Sequence, residues 1–176
     1  MKIGVIVSST RPQRIGPKVA EWVVSNAPEG VEAELVDLAE VDLPFLADPE
    51  PPAKGAYSEP TTIAWAETVS SYDALIMTVP EYNASFPATL KNAIDTLYAE
   101  WRDKPIGTVS YGWGGGARSA GQLVAVLEHL KAAPVEGPKL TFTEHLTPEG
   151  QILEAADEAE LEALYAELGA KVPATV

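Results

Sequence analysis

The sequence predicts an α/β domain in three layers, with five parallel strands in the order 2-1-3-4-5 between two layers of helices. Three observations predict it. Short runs rich in Val, Ile, Leu and Thr alternate with helical periodicities along all 176 residues. One run, Ala74–Val79, is almost continuously apolar, as a strand buried on both faces must be. The composition, 46% apolar and 22% charged, is that of a chain able to bury a sizeable core, so residues 1–176 read as a single domain.

The first strand is expected over Ile3–Ser8. Ile15, Val19, Trp22 and Val23 then recur at helical spacing, with Pro17 in the first turn. Val31–Leu38 alternates and carries Glu32, Glu34 and Asp37, which suits a strand near the sheet edge. Leu43–Pro60 holds five prolines and no period. A loop of that length is usually functional, although a stiff surface connection would look the same. A second helix, entered through Ser58 and Pro60, is marked by Ile63, Ala66 and Val69. After the third strand, Ala74–Val79, the stripe Leu90, Ala93, Ile94, Leu97, Tyr98 marks a third helix. The fourth strand is Ile106–Tyr111, followed by a helix on Ala120, Leu123, Val124, Leu127 and Leu130. Leu140–Thr143 is the fifth strand. Leu161, Leu164, Tyr165 and Leu168 mark the last helix, with Asp157, Glu158 and Glu160 in its first turn and Gly169 at its end. Five strands so alternated describe a flavodoxin-like three-layer sandwich. In such sheets ligands bind beyond the strand C-termini, near the switch point between the first and third strands.

Composition excludes several chemistries. With no cysteine there is no disulfide, thiolate metal site or Cys nucleophile. Two histidines, His129 and His145, do not form a zinc motif, so no metal site is expected. A net charge of −14 argues against nucleic acid or an anionic membrane as partner. The N-terminus lacks the pattern of a signal peptide and no apolar run approaches a membrane span, so a cytoplasmic protein without membrane insertion is expected.

Three loops at strand ends stand out. Ser8–Lys18 carries three hydroxyls and three cations and leads into a helix N-terminus, the groups a phosphate monoester requires. A solvated turn with capping hydroxyls is the alternative. The segment matches neither G-x-x-x-x-G-K-[ST] nor G-x-G-x-x-G. Pro80–Pro87 combines Glu81, Tyr82 and Asn83 and could receive a flat heteroaromatic ligand, or be a tight turn with Ser85 as helix cap. Ser110–Ser119 holds four glycines among Gly112–Gly116, which let backbone approach a ligand closely.

At these residues the chain resembles the NADPH-dependent FMN reductase family, which includes quinone, chromate and azo reductases. The resemblance rests on Ser9-Thr10-Arg11 with Arg14-Ile15-Gly16, on Pro80-Glu81-Tyr82-Asn83-Ala84-Ser85, on Leu90-Lys91-Asn92-Ala93-Ile94-Asp95, and on Gly115-Gly116-Ala117-Arg118. It implies that Ser9, Arg11, Arg14, Ile15 and Gly16 hold the phosphate of FMN. Pro80, Glu81, Tyr82 and Asn83 would line the isoalloxazine edge, largely through main-chain groups. Ser110, Gly112 and Gly116 would approach its pyrimidine end. Many relatives carry Ser and Asn where this chain has Arg14 and Gly16.

The resemblance also implies NAD(P)H as co-substrate and ping-pong hydride transfer through the flavin, with a small-molecule electron acceptor: a quinone, azo compound, metal oxyanion or free flavin. No catalytic acid–base residue is implied. A homodimer or homotetramer is expected, with Leu43–Pro60 and Trp101–Arg102 as interface candidates; Trp101 could equally pack within its own subunit. His145 is read as a surface or capping residue that could line the pocket. A flavodoxin-type electron carrier is the rival reading. A receiver-type signalling domain is disfavoured, because the first strand ends in Ser8-Ser9 and the third in Val79-Pro80, without its carboxylate cluster.

Overall fold

The middle layer is a sheet of five parallel strands in the order β2-β1-β3-β4-β5: β1 Lys2–Val7, β2 Glu32–Asp37, β3 Ala74–Pro80, β4 Pro105–Gly112 and β5 Ala133–Thr141. The computed structural model describes residues 1–156 and 158–173. The helices are α1 Gly16–Ser25, the single turn α2 Leu38–Val41, α3 Pro60–Ser70, α4 Ala88–Asp95, α5 Ala117–His129 and α6 Glu158–Lys171. One apolar cluster joins α1 and α6 to one face of the sheet, and a second joins α3, α4 and α5 to the other. This is the flavodoxin-like arrangement that the alternation of elements predicts.

The central strands β3 and β4 are buried along their whole length, and β2 is exposed over its first half, as its acidic residues require. Each fully buried Ile, Leu or Val contributes about 1.5–3 kcal/mol of burial free energy. Trp65 and Trp101 are also fully buried. Their indole N–H groups are satisfied by the carbonyls of Ala93 and Ile94, both at 2.9 Å.

Several elements depart from the sequence reading. The fifth strand begins at Ala133, well before Leu140, and runs through Pro134 and Pro138. Proline is tolerated there because β5 lies at the sheet edge, and a register shift opposite Thr108–Ser110 takes up Gly137 and Pro138. In α3 the buried face is Thr62, Trp65 and Val69, whereas Ile63 is 41% exposed. α4 stops at Asp95: the Leu97 amide turns to the Ile94 carbonyl at 3.3 Å, and the Trp101 indole donates to the same carbonyl. Gly169 lies inside α6, which continues to Lys171; Asp157, expected in that helix's first turn, lies outside the described residues. Trp101 is a core residue of its own subunit.

The long connection after α2 is pinned at three points. Asp48 Oδ1 accepts from the Ser58 amide, the Ser58 hydroxyl and the Glu59 amide at 2.6, 3.0 and 3.1 Å. The Tyr57 hydroxyl donates to Glu100 at 2.8 Å. Asn92, on α4, donates to the Pro44 carbonyl at 2.9 Å and accepts from the Leu46 amide at 3.2 Å. These bonds display Phe45, which is 82% exposed.

Candidate active site

β1 pairs with β3 and β3 with β4, so the segments following these strands meet at one rim of the sheet. Direct bonds join them. The Ser9 hydroxyl lies 2.6 Å from the Tyr82 hydroxyl, linking the first segment to the second. Ser119 Oγ donates to the Pro80 carbonyl at 2.9 Å, and the Arg118 amide donates to Glu81 Oε2 at 3.3 Å, linking the second to the third.

In the first segment, Arg11–Arg14 form a turn closed by Arg14 N–H to Arg11 C=O at 3.1 Å, with Pro12 inside it and Gln13 in the left-handed region. Ser9 is buried and its oxygen also accepts from the Arg11 amide at 3.4 Å. Arg11 is exposed at the mouth. Arg14 turns inward: its guanidinium donates to the Ser9 carbonyl at 3.0 Å and forms an ion pair with Asp37 at the end of β2. Ile15 is buried in the core, and Gly16 opens α1. A side chain at Gly16 would place Cβ 3.0 Å from the Tyr111 hydroxyl, so this glycine makes room for the phenol beneath the segment. Burial pushes the Tyr111 phenol pKa up, with Tyr82 adding to the effect and Arg11 and Arg14 opposing it.

In the second segment, Pro80 is buried and Glu81 half-buried, and Tyr82 and Ser85 exchange backbone bonds of 2.8 and 3.0 Å. The two residues between them, Asn83 and Ala84, have φ of 50° and 64°. Ser85 does not cap α4; its hydroxyl bonds Gln122 at 2.6 Å, and Pro87 occupies the cap position. In the third segment, Ser110 Oγ donates to the Gly115 carbonyl at 2.6 Å, and the Gly112 carbonyl accepts from the Gly115 amide at 3.1 Å. Gly116 has φ 68° and precedes α5; a Cβ there would lie 2.8 Å from the Tyr111 nitrogen. Trp113 stands 72% exposed on this loop, edge-on to Phe142 at 5.3 Å.

The side chains of Glu81 and Ser110 are thus engaged within the protein, leaving backbone to face a ligand. A cavity of about 420 Å³ adjoins the first segment, lined by Thr10, Leu38, Leu43, Phe45, Thr89 and Asn92 among others; it shares no residue with Pro80–Asn83 or Gly112–Gly116. His145 follows β5 and does not line that cavity. It lines a groove beside β5 and α6, and its Nδ1 accepts from the Thr141 amide at 3.0 Å. Among the described residues no cluster of His, Asp and Glu suited to a metal ion occurs, and no helix is long and apolar enough to cross a membrane. Asn92 is the residue whose role sequence reading missed: it stands in a quoted motif with no role assigned, and its bonds go to the Phe45 loop.

The fold defines a flavodoxin-like α/β protein, with a candidate ligand site beyond the ends of β1, β3 and β4. The chain belongs to the NADPH-dependent FMN reductase family, whose model matches residues 1–147. It is 37% identical over 150 residues to the NAD(P)H-dependent FMN reductase LOT6 of Saccharomyces cerevisiae, covering 78% of each chain. It is 30% identical over 148 residues to a quinone reductase of Escherichia coli, covering 79% of this chain and 76% of that one. The flavoenzyme FerB, an NAD(P)H:(acceptor) oxidoreductase from Paracoccus denitrificans, superimposes with a TM-score of 0.71 over 97% of this chain and 94% of its own, at 24% identity, a likeness of fold. The protein is therefore an oxidoreductase with FMN as cofactor and NAD(P)H as co-substrate.

The rim fits that cofactor. Arg11, the Ser9 hydroxyl and the Gly16 amide at the start of α1 suit a phosphate; Pro17 has no N–H, and the Lys18 and Val19 amides bond the Ile15 carbonyl. The backbone of Gly112–Gly116, largely free of side chains, suits close approach of a planar ring.

Proposed function

We propose that this enzyme passes two electrons from NAD(P)H to a quinone in a ping-pong cycle, with azo compounds, metal oxyanions and free flavin as further acceptors. NAD(P)H gives up a hydride, and the quinone takes up two electrons and two protons, one of them from water. FMN supplies the relay between them when bound. Ser9, Arg11 and the backbone of Ile15 and Gly16 hold its phosphate. Pro80–Asn83 and Ser110, Gly112 and Gly116 orient its ring through main-chain groups.

The observation that carries this reading is the convergence of the three segments at one rim through the Ser9–Tyr82 and Arg118–Glu81 bonds. A single rim must serve both substrates in succession. The similarity to proteins named for FMN and quinone reduction supports the acceptor class.

We read residues 1–176 as one domain and the enzyme as a homodimer or homotetramer in the cytoplasm, where NAD(P)H is at hand. Among the aromatic residues of Tyr98–Trp113, Trp113 is 72% exposed, whereas Trp101 and Tyr111 are buried and do not support assembly. Phe45 does: it is 82% exposed beside an apolar groove of about 650 Å³ that includes Phe86, Ala88, Ala125 and Val126. The kinetic test is a set of initial rates at several quinone concentrations. Parallel double-reciprocal lines against NAD(P)H are expected, and intersecting lines would mean a ternary complex and two sites.

A further inference from the structure

We propose that Tyr82 is a positioning residue for the phosphate: its hydroxyl, 2.6 Å from Ser9 Oγ, fixes the Ser9 hydroxyl as a donor to the phosphate of FMN. This inference rests on the reading that the segment from Ser9 to Gly16 holds that phosphate.

A serine hydroxyl has one proton and a freely turning O–H bond. At Ser9 two groups compete to set that turn. The Arg11 amide, which can only donate, points at the Ser9 oxygen at 3.4 Å. The Tyr82 hydroxyl, at the shorter distance, can donate or accept. If Ser9 donates to Tyr82, its proton is used and nothing remains for an anion. If Tyr82 donates, Ser9 accepts from both neighbours and its proton is left for a third group.

An anion beside Ser9 decides between the two. The three non-ester oxygens of a phosphate dianion only accept, and a bond to an ionised acceptor is roughly twice as strong as a neutral one. The relay Tyr82 O–H to Ser9 O–H to phosphate is then favoured. Each bond in such a chain polarises the next.

Tyr82 is held in place to do this. It belongs to the segment after β3, and its backbone bonds to Ser85, at 2.8 and 3.0 Å, brace the turn through Asn83 and Ala84. Tyr82 is 37% exposed, so its hydroxyl contact cannot be ascribed to core packing alone. Phenylalanine would preserve an aromatic wall for the flavin and remove the relay.

The test is affinity for FMN and for riboflavin, which lacks the phosphate, measured by flavin fluorescence on the unaltered protein, Tyr82→Phe, Ser9→Ala and the double variant. Tyr82→Phe is expected to weaken FMN about 3- to 10-fold and to leave riboflavin within about 2-fold. In the double variant, Tyr82→Phe should add little to the loss caused by Ser9→Ala. Equal losses for both flavins in Tyr82→Phe, no loss for either, or additive losses in the double variant would overturn the inference while the phosphate reading stands. Equal affinity of the unaltered protein for FMN and riboflavin would overturn the phosphate reading, and this inference with it.

Discussion

Arg14 binds the Asp37 carboxylate at the end of β2, away from the mouth of the segment where Arg11 stands exposed. The two arginines three positions apart thus do different work. Arg14 ties the first segment to the sheet through Asp37 and the Ser9 carbonyl, and Arg11 is the guanidinium open to a ligand.

Arg11→Ala should therefore weaken FMN binding with little effect on riboflavin. A charge-assisted bond to phosphate contributes roughly 1.5–3 kcal/mol, or about 10- to 150-fold in affinity. Flavin titration measures it, and equal losses for both ligands would remove Arg11 from the phosphate site.

Arg14→Ala should act on stability. Its side chain is 19% exposed and that of Asp37 6%, and removing one partner of a largely buried pair costs about 3 kcal/mol. Arg11→Ala should stay within about 0.5 kcal/mol of the unaltered protein. Urea unfolding of the two variants compares them, and equal midpoints would contradict the division of roles.

Asp48 makes stability depend on pH in a defined window. The Thr62 hydroxyl and the Ser58 amide lower its pKa to about 2, below the usual value of about 3.9. The folded state thus binds this proton less readily than the unfolded chain. Its stabilising contribution is complete above about pH 4 and fades as pH falls toward 2. Asp48→Asn should lower Tm at pH 7 and narrow its difference from the unaltered protein near pH 2. A difference that grows on acidification would show the sign to be wrong.

His145→Gln should lower kcat/KM less than about 10-fold. Its Nδ1 accepts from the Thr141 amide at the end of β5, and that bond occupies the nitrogen within its own segment. Loss of a general acid would cost about 10²–10⁴-fold, and a loss of that size in steady-state rates would assign His145 a proton-transfer role.

The strand order and the three rim segments were legible because they depend on local signals: apolar runs, hydroxyls beside arginines, and glycines. What escaped depends on tertiary partners. Pro134 and Pro138 hid all of β5 before Leu140, since proline in a strand is compatible only with an edge, and the edge is a property of the sheet. The buried face of α3 follows Trp65 rather than Ile63, because the Trp65 indole N–H has the Ala93 carbonyl within reach. Nothing at Asn92 itself tells that its amide is committed to Pro44 and Leu46, residues distant in sequence. The acid that draws Arg14 inward, Asp37, was visible only as part of an edge strand.

The central claim is that this rim holds FMN and lets NAD(P)H and a quinone use it in turn. The most direct measurement is the visible spectrum of the purified protein, titrated without oxygen first with FMN, then NAD(P)H, then a benzoquinone. The account predicts uptake of one FMN per chain, bleaching of the oxidised-flavin bands by NAD(P)H, and their return on adding the quinone. A chain that takes up no FMN, or a complex that keeps its colour with NAD(P)H, would contradict it.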